Sequence, residues 1–341
     1  MREIEELVRP QIRNLDPYKS ARDDFQGMAN VYLDANENPY GVYNRYPDPY
    51  QQSVKEKLSF IKGVNTSQIF LGNGSDEIID LLLRVFCEPN TDRAITFTPT
   101  YGMYQVSADI NCVELIKIPL NSDFQINPDA IERYRNRNDI KLMFICSPNN
   151  PTGNSLQNLE PIIKSFEGIV IVDEAYIDFA NSESWVAKIK EYPNLVVIQT
   201  FSKAWGLAGV RVGAAYANKK IIQLLSKVKP PYNISSLNQI AVSNALENIE
   251  EFENRKLHIL EARDRLKKEL TNLNLVEKVY PSDANFFLVQ FQNADRIYTS
   301  LVSKGIITRN RSSVVNNCIR ITVGSQEENE LLLNELKGLS I

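Results

Sequence analysis

The chain has 341 residues, 43% hydrophobic and 23% charged, an ordinary globular composition that at this length predicts one large domain and a smaller one. Its 38 Lys and Arg against 42 Asp and Glu leave a net charge of -4, which excludes the basic footprint of a nucleic-acid binder and requires local cations for any anionic substrate. No apolar run has the length of a membrane span, and the opening MREIEELVRP lacks the apolar core of a signal peptide. Cys87, Cys112, Cys146 and Cys318 are too widely spaced for a C-x-x-C pair or a disulfide framework, so a cytoplasmic setting is expected. The only histidine is His258, in the charged helical stretch ENRKLHILEARDRLKKEL. A multi-histidine metal site is therefore excluded, and a proton carrier, if there is one, is expected to be another residue.

Residues 1–45 show no core-forming periodicity after a short helical start, and they predict an arm that packs over something else. Residues 46–235 predict a large α/β domain. QQSVKEKLSFIKG and SDEIIDLLLRVFC have helical spacing, and the runs RAITFT, VELIKIP, KLMFIC, GIVIVD, LVVIQT and GAAYA then alternate with helical stretches. Continuous apolar strands of this kind predict a mainly parallel sheet covered by helices on both faces. KVKPPYNISSLNQ marks a break near Pro230 and Pro231, and a long charged helical stretch follows to about Leu273. Residues 236–341 predict a small α+β domain, with ANFFLVQF and CIRITVG as strands and ADRIYTSLVSKG and SQEENELLLNELKG as helices.

Ligands of such sheets sit at the carboxyl ends of the strands, where this sequence places its unusual polar residues. Asn149 and Asn150 follow one strand in SPNNPTG. Asp173 and Glu174 follow another in VDEAYIDF, and Ser202 and Lys203 follow a third in TFSKAWGLAGVRVG. LGNGSDEIIDLLL opens a helix on a Gly-rich turn, a start that suits a phosphate, but it lacks the third glycine of a dinucleotide fingerprint and the GK[ST] of a Walker loop. Each element alone is more often a cap, a rigid turn or a solvated lysine. Together they supply the set that pyridoxal phosphate needs. These are an amine for its aldehyde, a carboxylate for its pyridine nitrogen, donors for its ring oxygen, an aromatic face, and N–H groups with an arginine for its phosphate.

SPNNPTG, VDEAYIDF and FSKAWGLAGVRVG strongly resemble the fold-type I, pyridoxal-phosphate-dependent aminotransferases. YLDANENP, NRYPDPY, LGNGSDEIIDLLLRVFCEP, TPTYGMYQVSA and CIRITVG narrow the resemblance to the histidinol-phosphate aminotransferase family, over Tyr18 to Gly324. The resemblance implies the following roles. Lys203 would bond the cofactor and move the proton, Asp173 would hold the pyridine nitrogen protonated, and Tyr176 and Asn150 would bond the ring oxygen. Tyr101 would stack on the ring. Ser75, Asp76, Thr200, Ser202 and Arg211 would hold the phosphate, with Arg211 also helping to keep Lys203 neutral. Tyr46 would reach the neighbouring subunit's phosphate, which implies a homodimer. Arg309 and Arg320 would bind the substrate anion, with Tyr18 and Asn36 closing the pocket. The implied reaction is transamination of L-histidinol phosphate with 2-oxoglutarate. The alternatives are a threonine-phosphate decarboxylase or an aromatic amino-acid aminotransferase on the same scaffold, and, from another class, a regulatory module that binds the cofactor without turnover. Trp205, after the lysine, is expected to pack.

Overall fold

The structure is a computed structural model that describes residues 2–19, 30–134 and 137–339. Its main sheet is built from β1 (Ile69–Gly72), β2 (Arg93–Thr98), β3 (Glu114–Pro119), β4 (Ile140–Cys146), β5 (Ile169–Asp173), β6 (Leu195–Thr200) and β7 (Gly213–Ala217). The spatial order is β1-β7-β6-β5-β4-β2-β3. β3, β2, β4, β5 and β6 pair parallel, and β7 is antiparallel to both of its neighbours, β6 and β1. The six sequence-predicted strands all form. β1 is the addition: its four residues pair with β7 from Ile69 opposite Tyr216 to Gly72 opposite Gly213.

Every residue of β5 and β6 is buried. Alternation along a strand sends successive side chains to opposite faces. Met143, Ile145, Val170, Val172 and Val197 enter one core, and Leu142, Phe144, Ile169, Ile171, Val196 and Ile198 enter the other. The helices in chain order are α1 (Ile4–Leu7), α2 (Pro10–Arg13), α3 (Gln52–Lys62), α4 (Gly74–Phe86), α5 (Met103–Ile110), α6 (Asp129–Glu132), α7 (Leu159–Ser165), α8 (Lys219–Val228), α9 (Ser236–Glu247), α10 (Ile249–Thr271), α11 (Ala294–Ser303) and α12 (Gln326–Gly338). The long helical stretch divides at Asn248 (φ -109°, ψ 53°), which ends α9 and opens α10.

The short helical start of the chain packs on the chain's own core. Ile4, Leu7 and Val8 are buried in the same core as Ile78, Leu82 and Phe86 of α4. At roughly 1.5–3 kcal/mol for each buried aliphatic side chain, they tie the first residues to the chain's own large sheet.

The second sheet contains β8 (Val276–Val279), β9 (Phe286–Phe291), β10 (Arg309–Asn310) and β11 (Cys318–Thr322), antiparallel in the order β10-β11-β9-β8. Phe287, Val289, Ile319 and Ile321 pack with Leu266 of α10, Leu301 of α11 and Leu332 of α12. Specific bonds join the two sheets. The Asp283 N–H donates to the Gly153 carbonyl at 2.7 Å, and Arg263 donates to the carbonyls of Phe179 and Ala284, both at 3.2 Å. Among the described residues no helix is long and apolar enough to cross a membrane. His258 lies exposed on α10, and Trp205 is buried, stacked on Phe252 at 4.0 Å between ring centroids.

Candidate active site

A cavity of about 190 Å³ opens at the carboxyl ends of β4, β5 and β6. Its walls include Ser75, Asp76, Tyr101, Asn150, Asp173, Tyr176, Thr200, Ser202, Lys203, Arg211 and Arg320. Each wall residue but Arg320, which comes from the middle of β11, lies at or near a strand or helix end. Parallel strands deliver their last residues to one edge, so Asp173 at the end of β5 and Thr200 at the end of β6 arrive side by side with the loops that carry Asn150, Tyr176 and Lys203.

Asp173 is fully enclosed. Its Oδ2 accepts from the Tyr104 hydroxyl at 2.7 Å and its Oδ1 from the Ala175 N–H at 3.1 Å. Burial raises its carboxyl to about 6, against the lowering effect of those two hydrogen bonds. Tyr104 is itself wholly buried, stacked on Phe144 at 5.0 Å and set edge-on to Tyr101 at 5.7 Å. Nothing in the sequence assigned Tyr104 this role, because its partner lies 69 residues away. The only local signal was its place in the aromatic turn TPTYGMY.

Lys203 is open to the cavity, with its Nζ 5.5 Å from the centre of the Tyr176 ring. The protein crowding around it lowers its ammonium pKa, and the Arg320 charge follows as the next cause. Arg211 acts on it more weakly than Arg320, Asp173 and Asp76, so Arg320 has most of the cationic influence that the family resemblance implied for Arg211. Tyr176 is buried, edge-on to Phe286 at 5.1 Å, and burial pushes its hydroxyl pKa well up.

The floor of the cavity is the start of α4. Asn73 precedes this 13-residue helix and makes no side-chain cap, so no side chain covers the first-turn N–H groups there. Arg211, in the left-handed region at φ 55°, extends over this start. It reaches Asp76 Oδ2 at 3.5 Å and Ser202 Oγ at 3.5 Å. Two glycines make room. A Cβ on Gly74 (φ +76°) would lie 2.6 Å from the Arg211 guanidinium, and one on Gly213 would lie 2.5 Å from the Ser75 backbone nitrogen. The Tyr101 hydroxyl donates to Asp76 Oδ1 at 3.0 Å.

The two asparagines of SPNNPTG divide their roles. Asn149 is consumed by the turn: it accepts from Thr100 and donates to Pro99 and Thr152. Asn150 faces the cavity and accepts from Arg320 at 2.6 Å. Glu174 turns away from the cavity and closes a loop, accepting from Ser184, Gln199 and the Trp185 N–H. It faces a larger hollow of about 660 Å³. There Glu160 pairs with Lys164 and Lys188.

Four sequence-predicted residues do not line the cavity. Arg309 stands opposite Arg320 on β10. Asn36 and Tyr46 share a separate hollow of about 430 Å³ with Ser235 and Leu237, where the Tyr46 ring stacks on Tyr232 at 4.4 Å. Tyr18 is exposed. The segments that carry Tyr18, Asn36 and Tyr46 lie at the outside of this single protomer.

The family model described as aminotransferase class I and II matches residues 23–336. The histidinol-phosphate aminotransferase of Parabacteroides distasonis is 48% identical over 346 residues, covering all of both chains. Among solved structures, the histidinol-phosphate aminotransferase from Clostridium acetobutylicum superposes with a TM-score of 0.80 at 25% identity, covering 89% of this chain and 97% of that one. The enzyme of the same name from Sinorhizobium meliloti, solved in complex with pyridoxal-5'-phosphate, superposes with a TM-score of 0.77 at 23% identity, covering 86% and 82%. The chain belongs to the class I and II aminotransferases and, within them, to the histidinol-phosphate aminotransferases.

Proposed function

We propose that this chain holds pyridoxal phosphate in the 190 Å³ cavity and transfers the amino group of L-histidinol phosphate to 2-oxoglutarate, giving imidazole-acetol phosphate and L-glutamate. The observation that carries this is the convergence of Lys203, Asp173, Asn150 and Tyr176 on one cavity whose floor is an uncapped helix start beside Arg211. The donor set fits the cofactor group by group. A lysine amine suits an aldehyde, and a buried carboxylate suits a protonated pyridine nitrogen. Asn150 and Tyr176 suit the ring oxygen, and Tyr101 suits the ring face. The cradle left open by Gly74 and Gly213 suits a phosphate held by Ser75, Asp76, Thr200, Ser202 and Arg211.

When bound, the cofactor supplies an electron sink for the substrate carbon that loses its proton. The remaining chemistry belongs to the chain. Lys203, with its pKa lowered by crowding and by Arg320, has a larger neutral fraction at Nζ than a solvated lysine. A neutral amine at Nζ would take up the proton of the substrate carbon and hand it on, general acid–base help worth roughly 10²–10⁴-fold. Asp173 stays ionised above about pH 6 and would hold the ring nitrogen in its protonated form. Tyr104 and the Ala175 N–H fix the carboxylate's position for that contact. Arg320 leads the anion site from the small sheet with Arg309 beside it, and its bond to Asn150 couples anion binding to the ring-oxygen contact. Tyr46 completes the cofactor site of a partner subunit, and Tyr18 and Asn36 close the pocket over the substrate. Residues 46–235 and 236–341 are then the two units between which the site opens, and the enzyme works in the cytoplasm.

The reaction is tested by incubating the purified protein with L-histidinol phosphate and 2-oxoglutarate and measuring glutamate. Wild type is expected to form glutamate and K203A to form essentially none. Release of carbon dioxide from threonine phosphate, or faster turnover of phenylalanine or tyrosine, would replace the substrate assignment.

A further inference from the structure

The β10–β11 hairpin carries a third arginine that the site described above does not use. Arg309 pairs with Arg320 and Asn310 with Ile319 in antiparallel register. The ladder continues one step, because the Arg311 N–H donates to the Cys318 carbonyl at 2.8 Å. Side chains alternate along a strand, and directly opposed residues share a face. Arg309, Arg311 and Arg320 therefore share one face of this sheet. Ile319 and Ile321 point the other way, into the small core. Arg320 identifies the cationic face, since its guanidinium donates to Asn150 and lines the cavity.

Among the described residues no carboxylate pairs with Arg309, Arg311 or Arg320. The Arg311 Nε is buried and has no acceptor. Burial first, then the charges of Arg320 and Arg309, push the Arg311 guanidinium pKa down. Two half-enclosed like charges, Arg311 and Arg320, beside the exposed Arg309 and with an orphaned donor are unfavourable by themselves and become favourable when an anion settles among them.

The geometry of two anions separates the roles. In glutamate the α-carboxylate is bonded directly to the carbon that bears nitrogen. In a phosphate monoester of an amino alcohol the phosphorus stands two atoms further out, and the group carries about -1.5 to -2 charges near pH 7. We infer that Arg311 is the outer specificity residue of the anion site: it binds the phosphate dianion of the amino substrate together with Arg309 and Arg320, while the nearer, singly charged carboxylate of glutamate is held without it. This rests on the transamination proposed above and assigns a residue to its substrate preference.

The test compares kcat/KM for L-histidinol phosphate and for glutamate in wild type, R311Q and R311K. R311Q is expected to lower the phosphate-to-carboxylate ratio by about 10–100-fold, the range of one charge-assisted hydrogen bond, through KM more than kcat. R311K, which keeps the charge, is expected to recover much of the ratio. Inhibition of the glutamate half-reaction by inorganic phosphate gives a readout that does not depend on the amino substrate, and its Ki is expected to rise in R311Q. An unchanged ratio with an unchanged phosphate Ki overturns the inference. So does an equal loss for both substrates, which is the mark of a purely structural arginine. Should wild type fail to turn over histidinol phosphate, the proposed reaction falls, and the phosphate Ki then decides Arg311 alone.

Discussion

At the scale of single residues, Asp173 combines a function with a cost. Its carboxyl is raised from 3.8 to about 6 because burial opposes its charge. An acid whose folded-state pKa is raised destabilises the fold when it ionises, with no cost below about pH 4 and the full cost above about pH 6. At 1.36 kcal/mol per pKa unit this is on the order of 3 kcal/mol. D173N is therefore expected to raise the thermal midpoint of the cofactor-free protein at pH 8, with no such gain at pH 4, while activity falls at least 100-fold. Calorimetry at the two pH values checks the first half and the glutamate assay the second. Tyr104 acts on the same carboxylate. Y104F removes a bond that lowers the pKa, so the acid limb of the pH–activity profile is expected to move upward and cofactor affinity to fall about tenfold, as for a lost hydrogen bond to a charged group. The positions of Asp173 and Lys203 at strand ends were legible in sequence because each closes or follows a continuous apolar run. Tyr104 was not, since its partner is brought to it only by the pairing of β2 with β4 and of β4 with β5.

At the scale of elements, the cavity floor depends on the close approach of β7 to the start of α4. Gly213 pairs with Gly72 on one side and Thr200 on the other, and a Cβ there would meet the Ser75 backbone nitrogen at 2.5 Å. Backbone cannot swing aside as a side chain can. G213A is expected to cost about 1–3 kcal/mol, as overpacking does, and to weaken cofactor retention by pushing the helix start away from Arg211. A urea titration with and without added pyridoxal phosphate measures both effects. The six longer strands were legible because short continuous apolar runs alternating with helical stretches fit a sheet covered on both faces. β1 was hidden because its four residues run straight into the Gly-rich turn that opens α4, so the stretch read as the lead-in to a helix. β10 has only two residues, and only its register with β11 reveals it.

At the scale of the whole molecule, several large apolar side chains stand open. Phe60 of α3 is 91% exposed, and Val42 and Tyr40 are 87% and 84% exposed, with Leu237 and Ile240 of α9 also open. Bonds tie these segments together: Lys57 to Ser243, Gln239 to Asp48, and the stack of Tyr46 on Tyr232. A connected apolar surface of this kind suits a second copy of the chain. Sedimentation is expected to give twice the 38.8 kDa chain mass, and F60E to shift the equilibrium toward monomer with loss of bound cofactor. The N-terminal segment was the least legible part of the chain. Its apolar residues follow no single period, because Ile4, Leu7 and Val8 pack inward while Tyr40 and Val42 face outward. The central claim, that Lys203 and its cavity run two amino-transfer half-reactions, is tested most directly by absorbance. L-histidinol phosphate is added to the yellow holoprotein without any oxo-acid, and the long-wavelength cofactor band is followed. The account predicts that the band bleaches and that 2-oxoglutarate restores it. A band that persists through a saturating addition would contradict it.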